Sequence, residues 1–288
     1  MRLAGRGSPR TAMRSMADSL YPESGIEAFL LEGQRMSWGL AVLQHAMRQP
    51  GCPLCRLQRE AEARYLENLL WENVNDPATR EQWAAGLGFC ARHAWQLQRL
   101  EARRYGDGLG NAILYEDLLQ RVIPVLEAMA REPAMDPLPL HWRLAHALRL
   151  PRSGDPEGIP GLEGRARCRV CRLGEETARA YAEWLVEGLE DAEVRARYAA
   201  SDGLCLPHLR MALICARARA PHALADLAGD AARRLQRLLG ALREYIRKHD
   251  WNYRHEPMSP EERRSWIRAV AFFVGEGEGD GSLDDRGG

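Results

Sequence analysis

Cys52-Pro53-Leu54-Cys55 is followed by Cys90-Ala91-Arg92-His93, and the pair of motifs recurs as Cys168-Arg169-Val170-Cys171 and Cys205-Leu206-Pro207-His208. The interval between the two motifs is nearly the same in both copies, and six of the seven cysteines lie in them. Three thiolates and one imidazole complete a tetrahedral shell for Zn²⁺, which favours sulfur and nitrogen donors. The pattern therefore predicts two closed zinc sites, one in each copy.

The duplication extends beyond these ligands. When Cys52 is aligned with Cys168, Tyr65 falls on Tyr181, and after a single gap Gly88 falls on Gly203. Matches at positions that bind no metal indicate an internal repeat. We therefore predict two pseudo-repeated helical modules, each of which holds its own metal site.

The composition along the chain predicts five segments. Residues 1–24 form a leader without regular structure, 25–130 the first module, 131–165 a connection rich in Pro and Gly, 166–274 the second module with a long C-terminal helix, and 275–288 an acidic disordered tail.

The periodicity predicts an all-α fold. Apolar residues recur at intervals of three and four through both modules, and no alternating strand pattern interrupts them. Asp76-Pro77 is typical of a helix start with proline at its first position, and Ser259-Pro260-Glu261-Glu262 has the capping-box pattern.

Charge and hydropathy narrow the range of possible functions. The 40 basic and 40 acidic residues cancel, so no global field draws the chain to nucleic acid or to an anionic membrane. No apolar run approaches the roughly 20 residues of a membrane helix. Residues 1–19 have no apolar core of a secretory signal, which predicts a reducing cytoplasm where paired cysteines bind metal more often than they form disulfides.

Two other chemistries use the same ligands. Mixed cysteine and histidine ligation also occurs in [2Fe–2S] clusters, which would make the protein an iron–sulfur sensor. A Cys-x-x-Cys pair can act as a thiol redox sensor, although the βαβ pattern that surrounds thioredoxin-like motifs does not appear here.

One stretch has the composition of a nucleic-acid contact. Residues 233–255 are the most basic part of the chain, and Trp251 and Tyr253 stand near its end. Arginines with aromatics can bind phosphates and stack on bases, but a solvated helix face beside an aromatic cluster has the same composition. The candidate contact residues are Arg233, Arg234, Arg237, Arg243, Arg247, Lys248 and Arg254.

The motifs permit a family comparison. The stretches 51–55, 88–93 and 203–208 resemble an uncharacterised bacterial family, a domain of unknown function with tandem CxxC…GxCxxH modules. Residues 71–76 and 110–117 are also similar to it, and the resemblance covers roughly 25–275. It implies a bacterial cytoplasmic protein and supplies no activity.

The leading functional hypothesis is a non-enzymatic, zinc-stabilised helical scaffold that binds a protein partner. Four protein ligands leave no open position on the metal for water activation. No phosphate loop, nucleophile elbow or dinucleotide fingerprint is found. A small polar pocket near Glu72, Asn73 and Asp76 would be the candidate centre of an enzyme.

Overall fold

The computed structural model describes residues 38–131, 162–164 and 166–277, and within these ranges it is helical without strands, which confirms the all-α prediction. Residues 38–46 are helical. The helices that follow are α1 (Pro53–Asn68, continued by a π-helical turn, Leu69–Asn73), α2 (Pro77–Ala85), α3 (Ala91–Tyr105), α4 (Leu109–Arg131), α5 (Arg169–Gly188), α6 (Ala192–Ala200), α7 (Leu206–Arg219), α8 (Pro221–Arg247) and α9 (Pro260–Val274).

Helix starts lie where the sequence predicts them. The Asp76 carboxylate accepts a hydrogen bond from the Thr79 N–H at 2.8 Å, and proline occupies the first turn of α2. Ser259 and Glu262 form both hydrogen bonds of the capping box at α9. The predicted leader, nearly all of the Pro/Gly-rich connection and the tail beyond Gly277 lie outside the described residues.

The described residues belong to two compact units. The first consists of 38–57 and 178–277, and its core is built on fully buried side chains such as Leu43, Leu185 and Leu227. Within it, α8 packs against α7 and α9.

The second unit spans residues 58–177. Its smaller core contains the fully buried Leu66, Leu97 and Leu114, and α4 packs against α2 and α3. The Trp83 indole contributes to this core and donates its N–H to the Leu114 carbonyl at 3.2 Å.

The units do not coincide with the predicted modules 25–130 and 166–274. The divisions fall inside α1, after Leu57, and inside α5, after Thr177. Each repeat therefore contributes residues to both units. A repeat found by sequence similarity follows the chain, whereas a compact unit is defined by which segments share a core.

The apolar side chains of α4 are divided between the core and the surface. Leu114 and Leu118 belong to the core, but Leu119, Leu126 and Met129 are exposed. The helix continues through Pro124. None of the described helices combines the length and the apolar character that a membrane crossing would need.

Candidate metal centres

The first candidate centre, which we call the Cys52 cluster, consists of Cys52, Cys55, Cys205 and His208, and all four are buried. The His208 Nδ1 lies 3.5 Å from the Cys52 Sγ, 3.3 Å from the Cys55 Sγ and 3.2 Å from the Cys205 Sγ. The Cys55 and Cys205 sulfurs are 3.5 Å apart. All four residues lie in the unit formed by 38–57 and 178–277.

The second centre, the Cys90 cluster, consists of Cys90, His93, Cys168 and Cys171. The His93 Nδ1 lies 3.4 Å from the Cys90 Sγ, 3.5 Å from the Cys168 Sγ and 3.4 Å from the Cys171 Sγ. The Cys90 and Cys171 sulfurs are 3.6 Å apart. This cluster lies in the unit 58–177, and its three cysteines are partly exposed.

The predicted ligand types are brought together, but the predicted partners are wrong. Sequence analysis assigned each Cys-x-x-Cys motif to the Cys-x-x-His motif that follows it in the same repeat. In the structure each Cys-x-x-Cys instead meets the Cys-x-x-His of the other repeat.

Helix geometry explains why each Cys-x-x-Cys motif meets the Cys-x-x-His motif of the other repeat. A helix rises about 1.5 Å per residue, so α1 and its π-helical turn carry the chain about 30 Å away from Cys55. Most of the chain between Asn73 and Cys90 is taken up by α2. Cys90 therefore follows the far end of α1, and the same reasoning separates Cys171 from Cys205 along α5.

All four motifs have the same local structure. The carbonyls of Cys52, Cys90, Cys168 and Cys205 each accept a hydrogen bond from the backbone N–H four residues later, so each of these residues stands at the start of a helix. The fourth residue of each motif lies at the third helical position. In a capping box the side chain at this position folds back to the residue that caps the helix, so here the fourth residue of the motif can lie beside the first. Each centre therefore joins the N-termini of two helices, whose dipoles favour thiolates.

The ligand distances match a single tetrahedral ion. With Zn–S bonds near 2.3 Å and Zn–N bonds near 2.0 Å, tetrahedral angles place two sulfurs about 3.8 Å apart and a sulfur and a nitrogen about 3.5 Å apart. In both clusters the four ligand atoms lie within 4.8 Å of one another. A [2Fe–2S] cluster divides its ligands between two irons, which requires a wider separation between the two pairs.

Glu62 holds the histidine of the Cys90 cluster from behind. Its side chain is fully buried, and its Oε2 lies 3.3 Å from the His93 Nε2, on the opposite edge of the ring from the thiols. Gln58 and Arg92 both donate to the Glu62 Oε1 at 3.0 Å. Burial opposes ionisation of Glu62, but its close contact with His93 and the hydrogen bonds from Gln58 and Arg92 outweigh it and lower its pKa.

A glycine in α5 makes room for this carboxylate. A Cβ at Gly174 would meet the Glu62 Oε1, so a residue that weakens a helix interior stands where a side chain would collide. The repeat pattern does not mark Glu62, because the residue aligned with it in the second copy is Ala178. The available signal was its position on the stripe of α1 that buries Leu66 and Leu69.

Replacement of Glu62 by Gln should weaken zinc binding at the Cys90 cluster by roughly 10–100-fold, because a carboxylate behind a ligating histidine orients the ring and raises its basicity. Competition with a chelator of known affinity measures the change. Glu60→Gln, on the exposed face of the same helix, is the matched control. Equal affinity in the two variants would show that Glu62 does not act through His93.

The Cys52 cluster is covered differently, by residues 275–277. Gly275 is buried and has a φ of +82°, and a Cβ there would lie 3.2 Å from the Cys55 Sγ. The Glu276 Oε1 accepts the Cys52 N–H at 2.6 Å. These residues begin the segment predicted as an acidic tail, and of them Gly275 lies beside the Cys55 thiol while Glu276 contacts the Cys52 backbone.

The metal-free thiols differ in their affinity for protons. Burial disfavours the Cys168 thiolate, but N–H groups of Cys171 and Cys90 stabilise it and lower its pKa to about 7. Burial and the neighbouring Cys90 thiol raise the pKa of Cys171 to about 12. Burial lowers the pKa of His208, but Cys205 and Cys55 outweigh it and raise the pKa to about 9. A metal must displace these protons, so acidification weakens its binding.

The residues predicted to contact nucleic acid are mostly engaged within the protein. Arg234 pairs with Asp230 and donates to three backbone carbonyls at the end of α6. Arg247 pairs with Glu244 and Glu256.

Three of the remaining five basic side chains also contact other side chains of the protein. Lys248 pairs with Glu262 at 2.7 Å, Arg233 lies 3.7 Å from Asp230, and the Arg254 guanidinium stacks 3.5 Å from the centre of the Trp251 ring. Arg237 and Arg243 are exposed.

The polar stretch 71–76 forms the end of one helix and the cap of the next. Glu72 and Asn73 lie in the π-helical turn, the Asn73 side chain donates to the Asn68 carbonyl, and Asp76 caps α2. A shallow cleft in this unit is lined by other residues, among them Tyr65, Trp83 and Phe89.

Comparison with known proteins places the chain in a family. Residues 40–280 match the model of a family of unknown function, DUF6062. The chain belongs to this family. The resemblance drawn from the motifs is thereby confirmed, and the family description carries no activity. The chain is also 23% identical over 233 residues to a protein of Caldicellulosiruptor sp. (strain Rt8B.4), described as "Uncharacterized 23.9 kDa protein in xynA 3'region", and the match covers 79% of this chain and 97% of that protein. No solved structure matches the chain.

Proposed function

We propose that this DUF6062 chain is a non-enzymatic, cytoplasmic helical scaffold that two Zn²⁺ ions hold together, and that its surface binds a protein partner. The observation that carries the proposal is the exchange of ligands between the repeats. The Cys52 cluster joins residues 156 positions apart, and the Cys90 cluster joins residues 78 positions apart. Metal binding would therefore close two long loops of the chain.

The donor set supports zinc and a structural role. Each cluster supplies three thiolates and one imidazole at the spacing of one tetrahedral ion, which leaves no position for a substrate or an activated water. The arrangement favours a mononuclear ion over an iron–sulfur cluster, and this is the observation that ranks zinc first.

Metal analysis with an absorption spectrum of the purified protein tests the proposal. We expect two zinc ions per chain and no visible absorbance, because Zn²⁺ has a filled d shell. Iron with broad visible bands would refute the zinc assignment in favour of redox sensing.

The nucleic-acid alternative has less support. Most of its candidate contacts are paired with carboxylates or carbonyls, and phosphate binding would have to compete with those pairs. Binding of duplex DNA that weakens with salt, and is lost when the exposed Arg237 and Arg243 are both changed to Glu, would reinstate it.

A further inference from the structure

The two clusters share ligands and spacing but differ in how they are enclosed. In the Cys52 cluster all four ligands are buried, with Cys205 only 4% and His208 only 6% exposed. In the Cys90 cluster His93 is fully buried, whereas Cys90, Cys168 and Cys171 are partly exposed. Among the described residues, the Cys90 cluster is therefore less completely enclosed than the Cys52 cluster.

The Cys52 cluster is covered by residues 275–277, and the residue nearest the thiols, Gly275, has no side chain that would hold the backbone away from them. A Cβ at Gly275 would lie 3.2 Å from the Cys55 Sγ and 3.9 Å from the Cys205 Sγ, so the absence of a side chain lets this backbone pass close to the two sulfurs. We call residues 275–277, which cover this cluster, the strap. The Glu276 carboxylate fixes the strap by accepting a hydrogen bond from the Cys52 N–H, and Gly51 leaves the space that this carboxylate occupies. An incoming ligand would have to displace the strap before it reached a metal ion.

The Cys90 cluster has an anchored side and an open side. Glu62 holds the buried His93, so the imidazole is the fixed ligand. The Arg92 guanidinium donates to Glu62, its side chain is 44% exposed, and its positive charge also acts on Cys171. A zinc ion with three thiolates carries a net charge of −1, and this guanidinium offsets it where an anionic ligand would approach.

We infer that the Cys90 cluster is a zinc-exchange site, which passes its ion to and from a thiolate-bearing acceptor, while the Cys52 cluster retains its ion. The inference rests on the proposed zinc function. With zinc held by Cys90, His93, Cys168 and Cys171, transfer would begin when an acceptor thiolate formed a bond to zinc as the bond to the Cys171 Sγ broke. It would be complete once acceptor ligands had replaced the bonds to the other two thiolates and to the imidazole in the same way. The departing Cys171 thiolate pairs with Arg92 or takes a proton from water, and no atom changes oxidation state.

Zinc release from the full chain to excess 4-(2-pyridylazo)resorcinol tests the inference, after the zinc content has been measured. We expect one equivalent to leave roughly tenfold or more faster than the other. Cys168→Ser should eliminate the fast equivalent and leave the slow one. If Cys168→Ser does not fold, Arg92→Gln serves instead, and it should change the rate of the fast phase alone.

A second pair of variants examines the strap. Glu276→Ala removes the acceptor of the Cys52 N–H and should speed the slow phase without affecting the fast one. Glu261→Ala, which removes an exposed carboxylate from α9, is the control and should change neither.

The outcomes separate the two proposals. A protein without zinc would overturn the proposed function and the inference with it. Two zinc ions released in one phase, or a fast phase that Cys168→Ser and Arg92→Gln both leave intact, would overturn the inference and leave the structural role of zinc standing.

Discussion

Removal of both metal ions should abolish cooperative folding of the protein. Structural zinc sites contribute apparent binding free energies of about 10–16 kcal/mol, and without a preformed site this energy is folding energy. A domain is stable by only about 5–15 kcal/mol, so the loss at either centre is comparable to the whole stability. The effect should be large here because each cluster draws its ligands from segments far apart in the chain.

Thermal unfolding followed by far-ultraviolet circular dichroism measures the effect. After treatment with a strong chelator and removal of the complex, we expect the cooperative thermal transition to disappear. One zinc equivalent per site should restore the original transition, and Mg²⁺, which prefers oxygen ligands, should not. An unchanged Tm in a protein shown to be metal-free would refute the structural role.

Loss of one ligand should open one unit and spare the core of the other. Cys205→Ser removes a buried ligand of the Cys52 cluster and should make the backbone amides of 38–57 and 178–277 exchange faster. Cys90→Ser should have this effect on 58–177. If each predicted module held its own metal site, Cys90→Ser would instead unfold the first module, 25–130, which includes residues 38–57.

Amide hydrogen exchange read by peptide distinguishes these expectations, because it reports local opening along the chain. Cys215→Ser is the matched control, since Cys215 is the cysteine outside both clusters. Faster exchange confined to 38–131 in Cys90→Ser would favour pairing within each repeat and contradict the structure.

Local signals in the sequence were sufficient for the helices. Asp76 and Ser259 cap their helices as predicted, because capping depends on residues three positions apart. Ligand types were equally readable, since Cys and His at a spacing of three share one face of a helix.

The sequence does not indicate which Cys-x-x-Cys motif pairs with which Cys-x-x-His motif. Both pairings of the motifs satisfy the same chemistry, and only the paths of α1 and α5 decide between them. The residues next to Glu62 and Glu276 in the sequence do not predict the contacts that these two side chains make. Glu62 depends on the space left by Gly174, and Glu276 on the space left by Gly51.

The exchange of ligands between repeats is tested most directly by counting zinc in two double variants. Cys52→Ser with Cys205→Ser removes two ligands of one cluster, so the structure predicts that one ion remains. Cys52→Ser with Cys90→Ser disables both clusters, so no ion should remain at stoichiometric zinc. If the first variant lost both ions and the second kept one, each repeat would hold its own metal, contrary to the structure.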